Sequence, residues 1–267
     1  MSKKIYPKAR KRFGQNFLHD QSVIDDIIAA IDPQLGQHIV EIGPGRAALT
    51  APLLQNSDQL DVIELDRDLV PLLQIQFSAY DHLTIYQADA LSFDYRALVI
   101  KQEKLRIVGN LPYNITTPLL FHLLAQSDCI EDMCFMLQRE VVERICAQPG
   151  TKRYGRLSIM VQYQCQAELV FLVPAEAFDP VPKVESAILY LNPYSQDKYI
   201  GGDVDIGALG KIVTQAFSQR RKTIANTLKR IITPELILQA EISLDQRPET
   251  ISIAQYVALT RLWLASA

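Results

Sequence analysis

The chain has 267 residues, 48% of them hydrophobic and 21% charged. That composition is too apolar for extended disorder, and the length exceeds the roughly 100–200 residues that one core serves best, so a full α/β domain plus a smaller second unit is expected. A formal net charge of −3 excludes a protein that coats nucleic acid with uniform positive potential.

The N-terminus is locally basic: Lys3, Lys4, Lys8, Arg10, Lys11 and Arg12 precede the first acid, Asp20. Phosphate contacts need local rather than total positive charge, so residues 1–12 read as an RNA-directed tail, a solvated tail or a targeting leader. The charges run straight into Phe13-Gly14-Gln15-Asn16-Phe17-Leu18, which suits part of a folded site better than a disposable leader. No apolar run of about 18 residues and no signal-peptide core occurs, so a cytoplasmic chain without a membrane partner is expected.

From residue 37 onward, short β-rich runs alternate with helical stretches, the pattern of a parallel sheet covered by helices. Strands are predicted at 38–42, 60–65, 83–87, 105–109, 133–137, 168–173 and 186–191. The last two lack a crossover helix between them, and Pro174, Pro180 and Pro182 mark an irregular loop instead. The fold class is therefore α/β, a doubly wound Rossmann-like sheet with an antiparallel edge hairpin. After Asn192-Pro193 the β-branched runs stop, and helices are predicted at 206–217, 221–231, 234–240 and 253–264, with Thr233 as an N-cap before Pro234. The division expected is 1–193 for the sheet domain and 194–267 for a small C-terminal α-helical domain.

Cys129, Cys134, Cys146 and Cys165 form no close pair and are expected to be reduced, largely core residues. His19, His38, His82 and His122 are scattered without the spacing of a helical metal pair, so no metal is expected.

Val40-Glu41-Ile42-Gly43-Pro44-Gly45-Arg46 closes a predicted strand and opens a helix, at the carboxyl end of the sheet where such folds bind ligands. Gly43-x-Gly45-x-x-Ala48 satisfies the dinucleotide fingerprint, and Glu64 lies roughly 20 residues further on, where a ribose-binding acid belongs. This much suits NAD and S-adenosylmethionine alike. Glu41 and Asp89 add an acid at two further strand ends. Three carboxylates suit a ligand with a ribose, an adenine amine and a cationic amino-acid tail, and would repel the pyrophosphate of NAD.

The fourth strand ends in Asn110-Leu111-Pro112-Tyr113. Together with Phe13 to Leu18, Glu41 to Arg46 and Phe178-Asp179-Pro180-Val181-Pro182-Lys183-Val184-Glu185-Ser186, this tetrapeptide resembles the motifs of the rRNA adenine dimethylase family, and the resemblance spans essentially the whole chain. It implies a methyltransferase sheet, S-adenosylmethionine as cofactor, and dimethylation of two adjacent adenosines in a hairpin near the end of the small-subunit rRNA. It also implies the small ribosomal subunit and its rRNA as partner, an RNA-binding helical domain, and a chain acting as a monomer. By the same resemblance Asn16, Leu18, Gly43, Glu64, Asp89 and Asn110 contact the cofactor. One departure is Ala47, where the family usually has glycine.

An adenine amine is a poor nucleophile because its lone pair is delocalised into the ring. Asn110 through its side-chain oxygen, and the Leu111 carbonyl fixed by Pro112, are candidates to accept the two amine hydrogens and favour a pyramidal nitrogen. Tyr113 and Phe178 are candidates to stack on the two faces of an extruded adenine, using their rings alone, so that the Tyr113 hydroxyl is expected to be dispensable. An ordinary turn for the tetrapeptide and a core position for Phe178 are the plainer alternatives. Arg220-Arg221-Lys222 and Lys229-Arg230 offer a second basic surface, or simply solvated helix charges. Rival functions are methylation of an adenine in the large-subunit rRNA, ribosome assembly through binding, and NAD-dependent oxidoreduction, for which no catalytic constellation is evident.

Overall fold

The computed structural model describes residues 16–99, 103–219 and 221–266. These pack as two compact units, one formed by the chain up to Val142 with Glu168–Pro193, the other by Glu143–Ala167 with Tyr194 onward. The stretch 143–167 thus groups with the C-terminal helices, although it precedes the boundary drawn from composition at 193.

In the first unit a two-residue strand β1 (Phe17–Leu18) leads into helix α1 (Gln21–Ile31). Asp20 caps α1 by accepting from the backbone N–H groups of Ser22 and Val23, and Val23, Ile24, Ile27 and Ile31 form its buried stripe at helical spacing. There follow β2 (His38–Ile42), α2 (Thr50–Asn56), β3 (Gln59–Glu64), α3 (Val70–Gln76), β4 (Leu83–Gln87), β5 (Leu105–Asn110), α4 (Thr116–Leu124), β6 (Ile130–Gln138) and α5 (Arg139–Ile145). After α6 (Arg156–Gln162) come β7 (Cys165–Val173), β8 (Phe178–Asp179) and β9 (Ser186–Pro193).

Seven strands form one sheet in the order β4-β3-β2-β5-β6-β9-β7. The pairs β3–β4, β2–β3, β2–β5 and β5–β6 are parallel, and β9 runs antiparallel to β6. All five residues of β2 are buried, as a central strand covered on both faces requires. The strand order reverses between β2 and β5, so a crevice opens at their carboxyl ends. The predicted strands occur within a few residues of their expected bounds, and the two without a crossover are neighbours at the sheet edge. The ribbon of β1 with β8, in the register Phe17↔Asp179 and Leu18↔Phe178, is an element that periodicity did not predict, because two residues carry no period.

Under the opposite end of the sheet the buried Arg106 guanidinium bonds the Asp132 carboxylate, with Nη2 to Oδ2 at 2.9 Å. It also donates to the carbonyls of Ile31 and Asp32, and Tyr190 donates to Asp132 at 2.6 Å. A buried charge is tolerable when it is paired and bonded in this way. This network ties α1, β5, β6 and β9 together.

The second unit is helical: α6 with α7 (Ile206–Ala216), α8 (Ile224–Leu228), α9 (Pro234–Gln239) and α10 (Ile253–Ala265). Asp205 caps α7 at the Ala208 N–H, and Ser252 with Gln255 forms a capping box on α10. Leu209, Ile212, Val213, Leu228, Tyr256 and Val257 are buried. Arg221, Lys222, Lys229 and Arg230 are exposed. Cys129, Cys134 and Cys165 are buried free thiols, and Cys146 is a partly buried one. No helix among the described residues is long and apolar enough to cross a membrane.

Candidate active site

The loop after β2 must turn sharply without blocking the crevice. Gly43 and Gly45 take positive φ values of 67° and 57°, and a Cβ at Gly45 would press on the Phe17 ring at 3.3 Å. Ala47 also lies in the left-handed region at φ 68°, which costs an L-residue about 1–2 kcal/mol and gives the physical sense of a glycine at this point. Beneath the loop β5 approaches β2 so closely that a Cβ on Gly109 would lie 2.5 Å from the Ile42 carbonyl oxygen.

The result is a cleft of about 290 Å³ lined by the ends of β2, β3 and β5, the turn after β4, and β1. Asn16, Leu18, Gly43, Glu64, Asp89, Asn110, Leu111, Pro112 and Tyr113 all line it. Phe178 does not: it is 1% exposed and belongs to the apolar core, cross-strand from Leu18. Phe178 is thus a core neighbour of β1 and not a wall of the cleft. Phe13, Gly14, Gln15, Arg220 and the basic residues 1–12 lie outside the described residues.

Glu64 ends β3 with its carboxylate held by the main chain, Oε1 accepting from Asp66 N–H at 2.7 Å and Oε2 from Gly45 N–H at 3.3 Å. Each oxygen retains a second lone pair, a ready acceptor pair for vicinal hydroxyls. Burial raises its pKa, against the lowering effect of the two backbone bonds. Glu41 is 2% exposed and accepts the Thr50 hydroxyl at 2.6 Å. Burial, reinforced by Glu64 and opposed by the Thr50 bond, pushes it up to about 8. Asp89 is exposed at the third strand end and accepts the Leu91 N–H.

Asn110 closes β5, and its Nδ2 donates to the Asn16 carbonyl at 3.2 Å. That bond fixes the orientation of the amide. Leu111 N–H donates to the Met136 carbonyl, which ties the turn to β6. Tyr113 is half-buried, and its hydroxyl lies 2.9 Å from Ser186 Oγ, so the group expected to be dispensable has a specific partner.

Several features were not read from the sequence. Arg46 lies over the Phe17 ring at 4.1 Å and 3.5 Å from Asp179, joining the glycine loop to both strands of the ribbon. Leu65, Ala90 and Ile115 give the cleft apolar walls. Leu65, read from the sequence as the last residue of its strand, lies just past the end of β3 and is half exposed. Among the described residues no group of three or more His, Cys, Asp or Glu is arranged to hold a metal ion.

An acidic cleft with apolar walls, a main-chain-held carboxylate and the glycine loop fits S-adenosylmethionine. Glu64 suits its ribose and Asp89 its adenine amine. A pyrophosphate would meet the same carboxylates unfavourably.

The sequence matches the family described as "Ribosomal RNA adenine dimethylase" over residues 6–263. It is 52% identical over 257 residues to Ribosomal RNA small subunit methyltransferase A of Nitrosococcus oceani, covering 96% of this chain and 97% of the relative. The protein of the same name from Pseudomonas aeruginosa is 52% identical over 259 residues, covering 97% of this chain and 96% of that one. Among solved structures the chain is similar to the 23S rRNA methyltransferase ErmE, with TM-score 0.73, 23% identity and coverage of 93% of this chain and 99% of the other. It is also similar to a dimethyladenosine transferase from Plasmodium falciparum, with TM-score 0.75, 23% identity and coverage of 91% and 95%. At that identity the two structures speak to the fold alone.

Proposed function

Because the chain belongs to the ribosomal RNA adenine dimethylase family, we propose that it methylates the exocyclic N6 amines of two adjacent adenosines in a hairpin near the 3′ end of the small-subunit rRNA. One observation carries the chemistry: Asn110 ends β5 beside the glycine loop, and it and the following Leu111 line the same cleft as Glu64 and Asp89. An amine acceptor and a cofactor cradle thereby share one cavity.

S-adenosylmethionine, when bound, supplies an electrophilic methyl group on a sulfonium sulfur. Asn16, Leu18, Gly43, Glu64, Asp89 and Asn110 would hold it. With its Nδ2 engaged by Asn16, Asn110 presents Oδ1 to one hydrogen of the target amine, and the Leu111 carbonyl takes the other. Both acceptors pull the nitrogen toward a pyramidal geometry and stabilise the positive charge that develops as it alkylates; the surplus proton then passes to water. Neither group needs to act as a strong base, so orientation supplies most of the effect. The Tyr113 ring provides a stacking face worth about 1–3 kcal/mol for the extruded base. Phe178, in the core, is the cross-strand neighbour of Leu18.

Identity of 52% with small-subunit methyltransferases over nearly their full length favours the small subunit over the large as substrate. The exposed Arg221, Lys222, Lys229 and Arg230 suit contacts to an RNA backbone, and we assign RNA binding to the C-terminal unit on that ground. The reading places the activity in the cytoplasm, in a monomer acting on the small ribosomal subunit. It is tested by supplying labelled S-adenosylmethionine with unmethylated small subunits or large subunits. Label confined to small-subunit rRNA is the expected result; label on large-subunit rRNA alone would overturn the choice of substrate.

A further inference from the structure

Tyr113 lies just beyond the end of β5, where the chain has left the sheet and no ladder fixes the direction of its ring. Ser186, by contrast, is the first residue of β9, 0% exposed and in register with Gln138 of β6. The residue before it is anchored twice: the Glu185 carbonyl accepts from Arg139 N–H at 3.0 Å, and its carboxylate accepts from Arg139 Nη1 at 2.7 Å. Ser186 Oγ is thus a rigid point, and the Tyr113 hydroxyl lies 2.9 Å from it. Alanine would fill the space of this buried serine, and a buried hydroxyl without a partner is unfavourable. The pair has a consequence for the site, because the ring it holds stands three residues from Asn110 and lines the cleft.

We propose that Ser186 is a positioning residue for methyl transfer, its hydroxyl latching the Tyr113 ring in the orientation that stacks on the target adenine. The inference rests on the adenine-methylating reading of the cleft and adds to it a part for the Phe178 to Ser186 segment. Only the first residue of that segment suggested a role, and that residue faces the core. The latch is neutral and transfers no proton; it restricts rotation of the ring, so its effect belongs to the chemical step and not to cofactor capture.

A double-mutant cycle tests the latch with wild type, Ser186→Ala, Tyr113→Phe and the double variant, in single-turnover methylation of unmethylated small subunits. Each single variant is expected to lose about tenfold in rate at saturating subunits, with unchanged KM and unchanged cofactor affinity by calorimetry. The double variant is expected to lose the same tenfold and not a hundredfold, because both substitutions break one bond. Single variants at the wild-type rate, or a double variant showing the product of the two losses, would overturn the latch while leaving the function standing. A wild type that methylates no adenine overturns both readings. Circular dichroism reports folding, and if Ser186→Ala unfolds, the Tyr113→Phe loss at constant KM decides the matter.

Discussion

Glu41 is a carboxyl held far from its ordinary titration range. Burial and the neighbouring Glu64 raise it to about 8 from 4.5, while the Thr50 hydroxyl bond opposes the shift. Between those two values the folded chain holds a proton that the unfolded chain has released, so stability falls as pH rises through that window. Glu41→Gln removes the titration. The variant is expected to gain stability relative to the wild type progressively from about pH 4.5, reaching a plateau above about pH 8 on the order of a few kcal/mol. Urea unfolding of both proteins across that range checks it. A constant difference between them would show that Glu41 ionises as freely in the folded protein as in the unfolded one.

At the scale of elements the cleft depends on how closely β5 approaches β2. Gly109→Ala would set a methyl 2.5 Å from the Ile42 carbonyl oxygen, backbone that cannot yield without parting the two strands beneath the glycine loop. The expected loss is about 1–3 kcal/mol of stability, with weaker cofactor binding as Gly43 and Gly45 shift. Urea unfolding and calorimetry read the two effects, and an unperturbed variant would mean the strands are less tightly joined than the distance implies. The central sheet was legible because burial on both faces writes predominantly apolar runs such as Ile39 to Ile42 and Leu60 to Ile63, each interrupted by a single buried acid, Glu41 and Asp61. The glycine loop and the strand-end acids were legible because few residue types meet their demands. The β1–β8 ribbon was not: Phe17 and Phe178 are ordinary aromatics in sequence, and only the folded ribbon shows one lining the cleft and the other lost to the core. The Tyr113–Ser186 contact joins residues 73 apart, which no local pattern reports.

Over the whole molecule the charges divide the labour. Three acids, Glu41, Glu64 and Asp89, line the cleft, whereas the exposed arginines and lysines of the C-terminal unit and the basic N-terminal sequence suit a polyanion, so the proposed RNA binding is compatible with a net charge of −3. The claim on which the rest depends is that Asn110 and the Leu111 carbonyl accept the hydrogens of an adenine amine within this cleft. Its most direct test is to map methylated nucleotides, under single-turnover conditions, after treating unmethylated small subunits with wild type or Asn110→Ala, using circular dichroism to establish that the variant folds. The expected result is two adjacent dimethylated adenosines with the wild type and none with Asn110→Ala, whose RNA affinity stays near normal. Full methylation by a folded Asn110→Ala would contradict the account, reducing Asn-Leu-Pro-Tyr to a turn at the end of a strand.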